Sequence, residues 1–289
     1  MNQDRVRACL LGGAMGDALG SPHEGAAPPI NPGALGHLTD DTQLTLATCE
    51  AITQSQGHVL PQSIADSFLR WFASRRLTGL GASTLTALKG LEAGGHWALV
   101  GRRGERAAGN GAAMRIAPLA FLLDPHQSTH RRVIRDVCRI THHNDEAYAG
   151  ALAIVVGLRL ALNDDLGHPN FLRMVALELP DSNTRDALIA LADNPPHTLE
   201  EMSRKTGVGG YVAQSVPLAL GAANYVLEEF ESRLKEVVSL GGDCDTIASM
   251  TAQLAAAQGG LQLLPRAWLT QLPRSIEPAI NAFCACVCS

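Results

Sequence analysis

The sequence predicts an all-α protein, and three observations lead to that prediction. Alanine and leucine are abundant, only 4% of the residues are aromatic, and few windows alternate β-branched with polar side chains. Alanine and leucine are strong helix formers, whereas strands favour β-branched and aromatic residues. Helical spacing of apolar residues therefore describes nearly the whole chain better than a strand pattern does.

Helices are expected where apolar residues recur at helical spacing between breaks rich in glycine or proline. The predicted helices lie near residues 3–18, 40–55, 61–75, 83–93, 111–123, 128–140, 144–163, 168–178, 182–192, 213–229, 244–258 and 276–287. One break, Gly20 to Gly36, contains four prolines. Two others, Gly94 to Gly111 and Gly207 to Gly210, are rich in glycine. Because binding residues concentrate in loops held by a rigid scaffold, we expect the functional site at these breaks.

Size and charge limit the class of protein. The chain has 289 residues, of which 46% are hydrophobic and 18% charged, so we expect one compact domain spanning residues 1–289. The net charge of −5 argues against a protein that coats nucleic acid, and nucleic acid is not expected as a structural partner. A local basic cluster, formed by Arg102, Arg103, Arg106 and Arg115, is either a solvated loop or a partner for pyrophosphate.

No targeting or membrane segment is expected. The opening residues lack the order of a secretory signal peptide, so we expect a cytoplasmic protein. The apolar stretch from Ala147 to Leu162 contains Arg159 and is too short for a bilayer. Seven scattered cysteines argue against a disulfide framework. Cys284, Cys286 and Cys288 are interpreted as free thiols of a tail or terminal helix, with a metal site as the alternative.

Two acidic motifs stand where a loop gives way to a helical pattern. They read Thr39-Asp40-Asp41-Thr42 and Asp243-Cys244-Asp245-Thr246. Each alone is explained by helix capping, because carboxylate and hydroxyl oxygens accept hydrogen bonds from free backbone N–H groups. If the two motifs met in the fold, however, their charges would repel, and divalent cations would relieve the repulsion. Oxygen ligands favour Mg²⁺, with Mn²⁺ or Ca²⁺ as alternatives, over zinc.

Several further motifs occur in a fixed order. Gly12 to Glu24 reads GGAMGDALGSPHE, and Gly109 to Arg115 reads GNGAAMR. The pair Thr141-His142 follows, then Gly210 to Pro217, GYVAQSVP, and finally the GGDCDT motif that ends at Thr246. Together with the TDDT motif, this ordered set resembles the ADP-ribosylglycohydrolases related to dinitrogenase reductase-activating glycohydrolase. The resemblance covers positions 12 to 260.

The resemblance implies an all-α fold with a cleft that holds two divalent metals, Mg²⁺ or Mn²⁺. It also implies hydrolysis at the anomeric carbon of the distal ribose of an ADP-ribosylated substrate, with ADP-ribose as the product. The implied metal ligands are Thr39, Asp40, Asp41, Asp243, Asp245 and Thr246. The implied catalytic residues are Glu24, Asp41 and Asp243, and the implied substrate contacts are Gly109, Asn110, Gly111, Met114, His142 and Tyr211.

Some of these residues have structural alternatives. Glu24 could be a solvated loop residue, and His142 could be a helix cap or a satisfied core group, a role open also to His143. Tyr211 stacks on adenine in one interpretation and anchors a core in the other. Asp17 is interpreted as a buried organiser of hydrogen bonds rather than a metal ligand.

The sequence departs from the family pattern at two places. Ala107 and Ala108 replace side chains that contact the ligand in some relatives. Gly79 stands near the position where arginine-directed members have an acidic residue, and this difference puts specificity for ADP-ribosylated arginine in question. Two other functions stay open: a non-catalytic binder of ADP-ribose, and a metal hydrolase acting on a related nucleotide.

Overall fold

A computed structural model describes residues 2–288 and is predominantly helical, as predicted. The α-helices are α1 Gln3–Gly20, α2 Asp40–Gln54, α3 Pro61–Ala73, α4 Ala82–Glu92, α5 Trp97–Val100, α6 Ala117–Ala120, α7 Ser128–Arg139, α8 Asp145–Leu162, α9 Phe171–Leu177, α10 Asn183–Asp193, α11 Leu199–Thr206, α12 Val212–Glu228, α13 Phe230–Ser239, α14 Cys244–Gly259, α15 Arg266–Leu269 and α16 Glu277–Cys288. Short 3₁₀ turns occupy Ser21–His23, Glu105–Ala107, Asn110–Ala112, Leu261–Leu263 and Arg274–Ile276.

The core is built around α1 and α14, the most extensively packed pair of helices. Both helices are buried over most of their length, as expected of helices that are apolar or small-sided on every face. Glycines on α1 permit the close approach, because a Cβ at Gly16 would lie 2.3 Å from the carbonyl oxygen of Ala248. Helices α8 and α12 pack against α14 from other sides and complete the core.

Two residues from each of two distant segments form a small parallel sheet that the sequence pattern does not predict. Strand β1, Arg102–Arg103, pairs with β2, His142–His143. The pairing fastens the Gly-rich segment that precedes Gly109 to the end of α7. It therefore positions His142 beside the loop of the GNG motif.

One helix prediction is wrong. Residues 111–123 were expected to be a helix, but only Ala117–Ala120 are α-helical there. Pro118 lies in the first turn of α6, where a missing N–H costs no helical hydrogen bond, and Asn110–Ala112 form a separate 3₁₀ turn. Four helices, α5, α11, α13 and α15, were not predicted.

The terminal cysteines lie in α16, with Cys284 buried and Cys286 and Cys288 half-buried. Within residues 2–288, the groups arranged to hold a metal ion consist of carboxylates, and these cysteines do not belong to them. No helix in this part of the chain has both the length and the apolar character needed to cross a membrane.

Candidate metal centre and substrate cleft

The two acidic motifs, which are 203 positions apart (243 − 40), meet at one site. Helix α2 begins at Asp40 and α14 at Cys244, and the Thr246 hydroxyl donates to Asp41 Oδ2 over 3.1 Å. Asp41 and Asp245 are only 2% and 3% exposed. The packing of α14 with α1 and α2 therefore brings the carboxylates of both motifs out of water and close to each other.

The start of α2 is held by a carboxylate from α1. Asp17 is fully buried, and its two oxygens accept hydrogen bonds from the backbone N–H and the hydroxyl of both Thr39 and Thr42, over 2.5–3.2 Å. These bonds satisfy donors that the first turn of a helix leaves free. These contacts support the predicted role of Asp17 as an organiser of hydrogen bonds, and its exclusion from the metal ligands stays a prediction.

The start of α14 is held by loops instead. Gly241 and Gly242 adopt φ of +74° and +70°, a conformation that favours glycine. A Cβ at Gly242 would lie 2.2 Å from the carbonyl oxygen of Val208. The backbone N–H of Asp243 donates to that same oxygen over 2.8 Å, and Asn110 Nδ2 donates to Asp243 Oδ2 over 2.6 Å.

Carboxylate oxygens form two groups of three, each spanning no more than 4.8 Å. Asp17, Asp41 and Asp245 make one group, and Glu24, Asp243 and Asp245 make the other, so Asp245 belongs to both. Asp40 lies in the same cleft but in neither group.

The chemistry of this site fits a divalent cation. Asp41 Oδ1 is buried and has no hydrogen-bond partner among residues 2–288. An unpaired buried carboxylate oxygen among other carboxylates is costly, and a cation would satisfy it. The donors are all oxygens, which suit Mg²⁺, Mn²⁺ or Ca²⁺ better than zinc.

Burial and mutual repulsion raise the pKa values of these carboxyl groups. Burial, followed by the charge of Asp245, raises the pKa of Asp41 well above its ordinary value. Burial raises the pKa of Asp40 to about 8, helped by Asp17, and raises the pKa of Asp245 to about 8, helped by Asp243. The ionised site therefore needs a positive charge to be stable near neutral pH.

Glu24 approaches the centre from an exposed loop. It follows the 3₁₀ turn Ser21–His23, and two backbone hydrogen bonds tie the next residues to the loop that precedes α14. Gly25 N–H donates to the carbonyl of Gly242 over 2.8 Å, and Gly242 N–H donates to that of Ala26 over 3.1 Å. Burial, Asp243 and Asp17 raise the pKa of the Glu24 carboxyl.

The centre lies in a cleft of about 430 Å³, a volume suited to a nucleotide-sized ligand. Of the predicted substrate contacts, Gly109, Asn110, Gly111, Met114 and His142 line this cleft. Tyr211 instead lines an adjoining cavity of about 260 Å³, which shares Arg106, Gly109 and Gly210 with the main cleft.

Of the predicted metal ligands, Asp40, Asp41, Asp243, Asp245 and Thr246 line the cleft. Thr39 lies behind it, where its hydroxyl donates to Asp17 over 2.8 Å.

The four arginines of the basic cluster have different surroundings. Arg102 and Arg106 line the cleft, whereas Arg103 is exposed outside it. Arg115 is fully buried, and its guanidinium stacks over the Phe68 ring at 4.6 Å. The cluster is therefore neither wholly a solvated loop nor wholly a ligand site.

On one wall of the cleft, the sequence prediction singled out only Gly79 and missed the other residues. Gly79, Gly81 and the first residues of α4, including Ser83 and Thr84, line this wall. Two glycines just before a predicted helix could have indicated it, because loops at helix starts often bind ligands. A Cβ at Gly79 would lie 3.3 Å from Asp40 Oδ1, so an acidic side chain here would stand next to the metal centre.

Comparisons with known proteins agree with this arrangement. The family description "ADP-ribosylglycohydrolase" matches residues 1–286. The ADP-ribosyl-(dinitrogen reductase) glycohydrolase of Rhodospirillum rubrum is 27% identical, and the alignment covers 96% of this chain and 93% of that protein. The ADP-ribosylhydrolase ARH3 of Homo sapiens is 26% identical, and the alignment covers 91% of this chain and 88% of that protein. A solved structure titled "ADP-ribosylglycohydrolase-related protein complex" superposes with a TM-score of 0.70 and 28% identity, covering 99% of this chain and 97% of that one. The chain belongs to the ADP-ribosylglycohydrolase family.

Proposed function

We propose that the protein hydrolyses the bond between the anomeric carbon of a distal ribose and its acceptor, releasing ADP-ribose from an ADP-ribosylated substrate. Family membership and the names of the relatives from R. rubrum and H. sapiens support a hydrolase of ADP-ribose conjugates. The observation that carries the proposal is the Asp245 carboxylate, which is common to two carboxylate groups in a cleft of nucleotide size.

We further propose that two divalent cations, Mg²⁺ or Mn²⁺, bind among the carboxylates of the cleft. Asp40, Asp41, Asp243 and Asp245 would supply carboxylate oxygens, and Thr39 and Thr246 hydroxyl oxygens. The Thr39 hydroxyl donates its proton to Asp17, and the Thr246 hydroxyl donates its proton to Asp41. Both hydroxyl oxygens therefore keep lone pairs that could bind a cation. When bound, such ions supply Lewis-acid polarisation and lower the pKa of a coordinated water.

The proposed role of Glu24 is to accept a proton from the attacking water. Its carboxyl has a raised pKa and stands within 4.8 Å of oxygens of Asp243 and Asp245. A raised pKa makes a carboxylate a better general base near neutral pH. Asp243 and Asp41 are the other candidate catalytic carboxylates. The amide of Asn110 holds Asp243 in orientation.

The remaining cleft residues suit the rest of an ADP-ribosyl group. Glycines at positions 109 and 111 leave room for backbone N–H groups to approach phosphate oxygens, and Arg102 and Arg106 complement a diphosphate. Met114 supplies an apolar contact, and Tyr211, in the adjoining cavity, is the candidate for stacking on adenine.

The decisive experiment incubates the purified protein and Mg²⁺ with a panel of ADP-ribosylated substrates, including ADP-ribosylated arginine and serine peptides and small metabolites. The expected product is free ADP-ribose. Asp245→Asn should abolish its release, whereas Asp66→Asn, an exposed carboxylate on α3, should not.

Two other outcomes of this experiment would each indicate a different function. Release of AMP would indicate pyrophosphate cleavage and therefore a different metal hydrolase. Binding of ADP-ribose without turnover of any conjugate in the panel would favour a non-catalytic binder.

A further inference from the structure

The imidazole of His142 separates the cleft from a buried arginine. The residue is only 3% exposed, and its Nδ1 lies 2.8 Å from the hydroxyl oxygen of Thr141. On the other side of the ring, a Cβ at Gly109 or Gly111 would lie 3.4 or 3.3 Å from Nε2. Both glycines line the cleft, and Nε2 has no hydrogen-bond partner within residues 2–288. Nε2 is therefore the ring nitrogen left for a ligand.

The buried arginine fixes the role of Thr141. Arg115 is fully buried and has no carboxylate oxygen within 4.0 Å among the described residues. Its Nη2 donates to Thr141 Oγ1 over 2.7 Å, and its Nε donates to the carbonyl of Gly111 over 3.0 Å. A guanidinium can only donate, so the threonine oxygen must accept from it.

The direction in which the Thr141 hydroxyl donates its proton then determines which ring nitrogen of His142 is protonated. If Nδ1 carried a proton and donated it to Thr141, the threonine oxygen would accept two bonds and its own proton would need another acceptor. Thr141 is 0% exposed, and its hydroxyl has no other partner among residues 2–288. That arrangement leaves a buried donor unpaired, which is strongly unfavourable. If the hydroxyl instead donates to Nδ1, the Thr141 proton has an acceptor and the Thr141 oxygen accepts only from Arg115. Arg115 Nη1 is buried without a partner among residues 2–288 in both arrangements, so it does not distinguish them.

We infer that Arg115 and Thr141 are positioning residues that hold His142 in the tautomer protonated at Nε2, so that the ring presents a hydrogen-bond donor to the cleft. This inference rests on the proposed function for the identity of the acceptor, which would be a phosphate or ribose oxygen of ADP-ribose. The Gly111 contact of Arg115 ties the same guanidinium to the loop that faces the ring.

The charge state of the ring agrees with this assignment. Burial, Arg115 and Arg102 lower the pKa of His142 to about 3. The ring therefore stays neutral at physiological pH, and the choice between its two tautomers is left to hydrogen bonding. A cationic ring would donate from both nitrogens and would need no such selection.

The first test reads the tautomer directly. Full-length protein labelled with ¹⁵N-histidine is examined by long-range ¹H–¹⁵N correlation NMR, with the His142 signals assigned by comparison with His142→Asn. In the wild type, Nδ1 should be unprotonated and Nε2 protonated. Thr141→Val should shift the ring towards the other tautomer or a mixture of both, and Thr141→Ser should restore the wild-type pattern. A wild-type ring protonated at Nδ1 would overturn the inference, and this outcome does not depend on whether Thr141→Val folds.

The second test measures binding by calorimetry with ADP-ribose and Mg²⁺. Thr141→Val should weaken binding by about 3- to 10-fold, the effect of one neutral hydrogen bond, and Thr141→Ser should recover most of it. Thr270→Val, which removes an exposed hydroxyl outside the cleft lining, is the matched control. Unchanged affinity in Thr141→Val with an unchanged tautomer would refute the positioning role. If the wild type bound no ADP-ribose, the proposed function would fail, while the NMR result would still decide the tautomer.

Discussion

The starts of α2 and α14 carry nearly the same residues but are built in different ways. At α2, the carboxylate of Asp17 accepts hydrogen bonds from two threonines, and all of these groups are buried. At α14, the support comes from the backbone of Val208, from Asn110 and from two glycines with positive φ. One acidic start is therefore part of the core, whereas the other is assembled from loops.

This difference predicts how each of the two helix starts responds to ligands and to mutations. Asp17 is on α1, which packs tightly on α14, so the α2 start is as rigid as the core itself. The α14 start depends on segments that also line the cleft, namely Asn110, Gly210 and the Glu24 loop. We expect the α2 start to be preorganised for a cation and the α14 start to be more sensitive to ligands and to loop mutations.

The largest effect is expected at Asp245, which both carboxylate groups share. Asp245→Asn removes a charged oxygen from each group, so turnover should fall by at least about 100-fold. Steady-state release of ADP-ribose at saturating Mg²⁺ measures the effect, with Asp66→Asn as control. Turnover within about 3-fold of the wild type would show that the two groups are not one centre.

Asp17→Asn should have the next largest effect. It leaves the carboxylates that line the cleft in place but turns an amide N–H₂ towards donors of Thr39 or Thr42, which misorients the α2 start. We expect metal affinity to fall by about 10- to 100-fold, the usual effect of a residue that orients ligands. Calorimetric titration with Mn²⁺ measures it. Unchanged affinity would mean that the α2 start needs no support from α1.

Gly242→Ala tests the loop support of α14. The substitution combines a positive φ with a Cβ only 2.2 Å from the Val208 oxygen, and it should lower the free energy of unfolding by about 2–4 kcal/mol. Gly94→Ala is the matched control, because Gly94 has φ of +87° and open space around its Cβ position. The control should lose about 1–2 kcal/mol. Equal losses in denaturant titrations would contradict the close approach at Gly242.

A further prediction is a pH dependence that the two starts should share. The pKa values of Asp40 and Asp245 are about 8 in the folded protein, above the unfolded value of 3.8. A raised folded pKa gives stability that is complete below about pH 4 and is lost as the pH rises through about 8. The unfolding temperature of the metal-free protein should therefore fall across this range.

Differential scanning calorimetry with and without Mg²⁺ checks this dependence. Saturating Mg²⁺ should reduce the fall, because the cation stabilises the ionised carboxylates. Asp40→Asn and Asp245→Asn should flatten the metal-free profile by similar amounts. A flat wild-type profile without metal would contradict the assigned pKa shifts.

Much of the fold was predictable because the signals are local. Eleven predicted helices correspond to observed ones, since apolar spacing and glycine or proline breaks act within one or two turns. The segment 111–123 failed because a proline inside an apolar run was read as helix interior. The short β1–β2 pair was missed because two-residue strands carry no periodicity.

The residues of the candidate site were predicted less completely than the helices. The ordered motifs identified the residues near the cleft, including His142 and the Gly109 to Met114 segment. They did not indicate that Arg115 contacts Thr141 next to His142, or that Ser83 and Thr84 line the cleft. These contacts join residues far apart in sequence, and no local pattern encodes them.

The sequence by itself therefore determined the helical class, the acidic helix starts and the order of the glycine-rich loops, because propensity, capping and turn chemistry depend on neighbouring residues. Only the tertiary structure decided that Asp17 and Asp245 share a group with Asp41 while Asp40 does not, and that Asp41 Oδ1 is left without a partner. The physical reason is packing: the distance between α1 and α14 is set by glycines at the contact, such as Gly16 and Gly20. That distance, together with burial, determines which charges meet.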